Sequence, residues 1–275
     1  MASSVEGDEL TAAHRLAQAR IGTQTIARML TAWQVLDPED PEGSMPDWLQ
    51  VVAAVISTGR SESSRVAQAY FSRYRNVEVG DVLPFTPRLA PQAPREQVDA
   101  VMRINLLSRT RNRVDTGSDF SDSLLTARVE TSRAAQRLTL AGGRDTIDGA
   151  IGSDESAIGY ARAASGEPCH FCAMLASRGP VYKEDSFRRM AVHDGCNCSL
   201  EPVYFRSVGW PRGSREYQEL WNAASDESDG TAPTDVIFRR IMEDRFTPTA
   251  TDGDTDSDLL QFLEQKLKAA QEAVQ

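Results

Sequence analysis

The sequence predicts a mainly α protein with a small α+β region, a helical N-terminal domain followed by a compact Cys/His-stapled unit with short strands. Three observations predict it. Apolar residues recur near helical spacing through most of the first 150 positions. The pattern then shifts to short alternating segments around Ile158–Arg162 and Ser199–Phe205. Between those segments lie all four cysteines and two of the three histidines.

Each element follows in order. Leu10, Ala13, Leu16, Ala17, Ile21, Ile26, Met29, Leu30 and Trp33 mark a first helix. Pro38, Pro41, Gly43 and Pro46 then read as a break. A second helical stretch begins at Asp47, with Gly59 as a candidate interruption. Four prolines between Val82 and Pro94 predict an ordered extended linker or a crossing segment. A third helix begins near Arg95. A turn at Thr116–Ser121 leads to a fourth, which is expected to end at Gly142–Gly143. Two further helix-like stretches cover Ser214–Ser225 and Thr234–Phe246. The acidic, polar residues 247–258 read as a flexible tether. The last stretch, Leu259–Gln275, reads as an amphipathic helix. The resulting domain boundaries are 1–94, 95–150 (arginine-rich helices), 151–210 (the Cys/His unit), 211–246 and 247–275.

Composition narrows the function classes. The 275-residue chain carries a net charge of -10, and 40% of its residues are hydrophobic. It can bury a real core. A globally acidic surface disfavours coating nucleic acid, without excluding a local basic patch. The N-terminus lacks the apolar core of a signal peptide. The longest apolar run, Trp48–Ile56, falls far short of the ~20 residues that span a bilayer. The expectation is a protein made in the cytoplasm, with no membrane partner. Arg103, Arg109, Arg111, Arg113, Arg128, Arg133 and Arg137 read either as a solvated helix face or as a face toward an acidic partner or DNA.

The sharpest signal is Cys169-x2-Cys172 followed by His193-x2-Cys196-x-Cys198. Two short knuckles joined by a loop can supply the four ligands of a tetrahedral structural zinc. Five donors are present, so one is surplus. His170 is expected to point away. Other readings stay open. Cys-x2-Cys suits dithiol chemistry, although the βαβ alternation around such a site is missing. Pro168-Cys169-x2-Cys172 is half of a zinc-deaminase signature, but no His-x-Glu precedes it. Ala173 stands where c-type haem attachment needs histidine. The thiols could also form a reduced, metal-free cluster, with disulfides forming later outside the cell. A zinc-dependent enzyme would draw its base from Glu184, Asp185 or Asp194. A nucleic-acid-binding zinc knuckle would use Arg178, Lys183, Arg188, Arg189, Phe171, Tyr182 and Phe187.

The stretches "CHFCAMLASRGPVY", "VHDGCNC" and "SLEPVYF" resemble the minor head proteins of tailed bacteriophages related to phage Mu protein F, the MuF-like family. The version here is most similar to those of actinobacterial phages. The family's pattern falls on Cys169, Cys172, Gly179, His193, Cys196 and Cys198, and the resemblance covers about Tyr160 to Tyr204. It implies a low-copy virion component near the portal, in the capsid interior or at the portal vertex. It also implies residence in the host cytoplasm during assembly, and a role in head assembly, DNA packaging or ejection. The implied partners are the portal protein, other head proteins and packaged DNA. The family's residues imply no catalysis. Some relatives are fused to a maturation protease, and no serine, histidine and acid set for that activity lies beyond the cluster.

Overall fold

The structure, a computed structural model, describes residues 4–80, 85–164, 168–183, 192–206, 212–228 and 232–246. Three long helices make its body: α1 (Val5–Ala32), α2 (Pro41–Val79) and α5 (Phe120–Ser153). Each begins at a side chain that accepts the orphan N–H groups of the first turn. Ser4 accepts from Gly7, Asp40 from Gly43, and Asp119 from Ser121 and Asp122. Ser4 also donates to Glu78 of α2 through its N–H and its hydroxyl, at 2.9 and 2.7 Å.

The expected breaks need correcting. Pro41 opens α2 at its first turn, where a missing N–H costs nothing, and Pro46 lies inside the helix. Gly59 does not interrupt α2, and α5 runs ten residues past Gly143. These glycines serve helix contact. A methyl group on Gly142 would sit 2.5 Å from the Arg60 carbonyl oxygen, and one on Gly59 would sit 2.8 Å from Thr139. The helices approach so closely there that a side chain has no room.

Between α2 and α5 the chain is helical over α3 (Arg95–Arg103), a π-helical stretch (Ile104–Ser108) and α4 (Arg109–Asp115). The proline-rich linker is irregular over its described residues, as expected. It is fixed by hydrogen bonds: Gln68 donates to the Pro87 carbonyl, Arg60 to the Pro91 carbonyl, and Ala90 N–H to the Thr146 hydroxyl.

After α5 come β1 (Gly159–Ala163), α6 (His170–Ser177), β2 (Val181–Tyr182), β3 (Ser199–Val203), α7 (Arg212–Glu227) and α8 (Thr234–Phe246). The strands form an antiparallel sheet in the order β2-β1-β3. Gly159 pairs with Val203 and Ala163 with Ser199. Pro202 is tolerated because β3 lies at the sheet edge. Both β1 and β3 are buried along their whole length, so alternation predicted a strand but not a solvent face.

Three buried clusters result among the described residues. One joins Met29, Trp48, Val52, Met102, Leu106 and Leu138 at one end of the body. A second joins Phe71, Tyr74, Ile147, Ile151 and Leu200 where the helices meet the sheet. The third packs Cys172, Cys196 and Cys198 with Ala173, Tyr217 and Phe238 of α6, α7 and α8. The C-terminal helices thus share a core with the cysteines. The expected tether and last helix, 247–275, lie outside the described residues.

The inner face of α1 departs from its apolar pattern. Leu16 is 56% exposed, while Thr11, His14 and Gln18 are buried. Their partners explain the inversion. Thr11 bonds Tyr70 at 2.8 Å, His14 bonds Ser199 at 2.9 Å, and Gln18 donates to the Ser63 carbonyl while accepting from its hydroxyl. A buried polar group that keeps its hydrogen bonds is tolerated.

Candidate metal centre

The first knuckle is a helix start. The chain leaves β1 and enters α6 with Cys169 at the N-cap, in extended backbone, its sulfur accepting from the Cys172 N–H at 3.5 Å. Cys-x2-Cys therefore puts both sulfurs at one end of one helix. The second knuckle is a turn before β3. Gly195 has a φ of 81°, in the left-handed region that favours glycine. The turn folds back through a bond from the Cys196 N–H to the His193 carbonyl.

Helix α5 holds this turn along one face. The Arg133 carbonyl accepts from the Gly195 N–H. Gln136 donates to the Asn197 side chain at 2.8 Å, and Arg137 pairs with Asp194 at 2.5 Å. Arg144, buried, donates to the carbonyls of Cys196 and Cys198 at 3.3 and 3.4 Å. The spacing 133, 136, 137, 144 is one stripe of a helix. Four of the expected arginines therefore face other parts of this chain: Arg137 meets the knuckle, Arg109 and Arg113 meet Glu130, and Arg111 meets Glu42.

All five expected donors converge. The Cys169 sulfur lies 2.9 Å from His193 Nε2, and the Cys172 sulfur lies 3.4 Å from the same nitrogen. The Cys172 and Cys196 sulfurs are 3.5 Å apart. Two overlapping groups, Cys169/Cys172/His193 and Cys172/Cys196/Cys198, have donor atoms all within 4.8 Å of one another. Either group could hold a metal ion, and Cys172 belongs to both. His170 is exposed, next to the N-cap.

The surroundings suit metal ligation. His193 Nδ1–H donates to the Asp194 carbonyl at 2.8 Å, which turns Nε2 toward the sulfurs. Hydrogen bonding, first from Cys172 and then from His193, lowers the Cys169 thiol to about 4. The Cys196 thiol is lowered by hydrogen bonds from Cys172 and Cys198, with help from Arg144. The same bonding raises Cys172, which acts as the shared donor. His193 is raised to about 9 by its bond to Cys169. Thiolate is the form that binds metals, and the site favours it at two of its four sulfurs.

Two buried arginines, Arg144 and Arg162, offset that negative charge; Arg162 Nη1 lies 3.7 Å from the Cys172 sulfur. Sequence reasoning missed both as parts of the site. The only available hint for Arg162 was a cation inside an alanine-rich strand next to the cysteines. Of the acids considered for catalysis, Asp194 is held by Arg137, while Glu184 and Asp185 lie outside the described residues. Phe187, Arg188 and Arg189 lie outside them too. Phe171 packs in the third core and meets the His193 ring edge-on. Lys183 donates to the Asp154 carbonyl.

No helix among the described residues is long and apolar enough to cross a membrane. The sequence matches the VG15 protein family over residues 4–224, and the chain belongs to that family. Neither a curated protein nor a solved structure matches it.

Proposed function

We propose that this member of the VG15 family is a minor head protein of a tailed bacteriophage, of the MuF-like kind, with a structural zinc site at its Cys/His cluster. The observation that carries the reading is the closure of the two knuckles, Cys169-x2-Cys172 and His193-x2-Cys196-x-Cys198, into one donor cluster. That spacing is the one on which the MuF-like resemblance rests.

The donor set fits zinc. Bonds near 2.3 Å arranged tetrahedrally place sulfurs about 3.8 Å apart. The Cys172–Cys196 separation of 3.5 Å and the Cys172–His193 separation of 3.4 Å are close to that geometry, while the Cys169–His193 contact of 2.9 Å is that of a hydrogen bond and would open on metal binding. Cys169, Cys172, His193, Cys196 and Cys198 supply the candidates, and four of them would complete the shell. Bound there, zinc would tie α6 to the strand that follows the second knuckle. Its binding free energy would add to folding.

A structural role is favoured over a catalytic one. Asp194, the nearest described acid in sequence, is engaged by Arg137, and a catalytic zinc needs an open position with a free base. In the virion the protein would sit near the portal, with its helical body as the docking element. Its net charge of -10 favours protein contacts over packaged DNA.

Co-expression with a portal protein of the same phage, followed by size exclusion, tests this reading. Co-migration as a defined complex is the expected result. Consistent separate elution, with both proteins folded, would overturn it.

A further inference from the structure

A cavity of about 360 Å³ lies between the first turns of α1, the sheet and the start of α7. That volume falls within the range of small-molecule sites, roughly 300–1,000 Å³. Val5, Asp8, Glu9, Ala12 and Arg15 line it from one stripe of α1. Across from them stand Ala163 and Ala164 at the end of β1, and Glu201 of β3. The apolar part of this lining is made of small side chains, so the space between α1 and the sheet stays open.

The polar groups of the lining differ in what they have. The Ser214 hydroxyl is engaged, donating to the Arg162 carbonyl at 2.9 Å. Thr11 is engaged too, with Tyr70 at 2.8 Å and with Glu201. Arg15 is not. Its Nε is buried without a hydrogen-bond partner, and among the described residues its guanidinium makes no ion pair. A buried N–H without an acceptor calls for one from an occupant. The acceptor that matches a guanidinium fork is a carboxylate.

The rest of the lining asks for the opposite charge. Asp8, Glu9 and Glu201 share the cavity with that single cation. Glu201 is only 3% exposed, with its carboxyl held by Thr11 and Tyr74, while Glu9 is exposed. An occupant therefore meets one guanidinium and a surplus of carboxyl groups. A molecule with one carboxylate and two cationic groups complements both. We propose that this cavity binds a free basic α-amino acid, its carboxylate on Arg15 and its cationic groups toward Asp8, Glu9 and Glu201. A lysine within a protein chain lacks the α-carboxylate that Arg15 requires. The proposal is independent of the head-protein reading and of the metal site.

Isothermal titration of the full chain with L-lysine, and separately with Nα-acetyl-L-lysine amide, tests it. The amide keeps the side-chain ammonium but neither charge of the α-carbon. We expect L-lysine to bind at one site per chain, and the amide to bind at least about tenfold more weakly. Arg15→Gln lowers the affinity for L-lysine to that for the amide, and Glu9→Gln weakens both. An unchanged melting temperature without ligand shows that each variant is folded. No binding of L-lysine at millimolar concentration would overturn the proposal. Equal affinity for the two probes would overturn it as well, because it would assign the cavity to a lysine side chain of a partner protein.

Discussion

Glu201 and His14 are buried within a few residues of one another's partners, and they titrate in opposite senses. Burial raises Glu201 from 4.5 to about 7, outweighing hydrogen bonds from Thr11 and Tyr74. Burial lowers His14 from 6.5 to about 3. A carboxyl with a raised folded value contributes stability that is present below 4.5 and lost as pH climbs to about 7. Glu201→Gln removes that dependence. Its melting temperature relative to the parent rises between pH 4.5 and 7 and then levels, as differential scanning at fixed ionic strength would record. His14 acts the other way: its neutral form is the one the fold accepts, so its contribution is lost as pH falls from 6.5 toward 3. At the cluster, Cys172 belongs to both donor groups. Cys172→Ala breaks both groups and is expected to abolish metal binding, while Cys169→Ala leaves the Cys172/Cys196/Cys198 group intact and is expected to retain a metal ion at lower affinity. Elemental analysis of the two purified variants separates these outcomes.

At the scale of elements, the decisive contacts are few and buried. Asp154 ends α5 and pairs with Arg75 of α2 at 2.9 Å, with side-chain exposures of 2% and 7%. Removing one partner of a buried pair leaves an uncompensated charge, which costs about 3–5 kcal/mol. Asp154→Ala is expected to lose that much in urea unfolding, whereas Glu243→Ala, which breaks the exposed pair with Arg239, changes stability by less than about 1 kcal/mol. Gly142→Ala forces α2 and α5 apart against the Arg60 carbonyl. It is expected to cost about 1–3 kcal/mol, as overpacking does.

The same elements show what was legible in the sequence. The positions of the long helices followed from periodicity, and the two knuckles followed from spacing, because both are local. The polar inner face of α1 was not legible. Whether Thr11, His14 or Gln18 can be buried depends on Tyr70, Ser199 and Ser63, which lie 45 or more residues away. The helix through Gly142 was misread for the same reason: the glycine answers to a neighbouring helix, not to its own. Cys169 as an N-cap was also missed, since a cysteine gives a weaker capping signal than serine or aspartate.

At the scale of the molecule, the three-helix body carries a Cys/His unit that is attached through α5 and β3. Arg133, Gln136, Arg137 and Arg144 grip the second knuckle, and His14 anchors Ser199 just beyond it. In our account zinc closes this unit, and the body supplies the surface for docking in a phage head. The measurement that tests the account most directly is the metal content of the full chain purified without added metal, by elemental mass spectrometry, with a free-thiol count before and after chelation. We expect about one zinc per chain, with thiols that react only after the metal is removed. Protein that carries no metal, with all four thiols freely reactive from the start, would contradict the account at its centre.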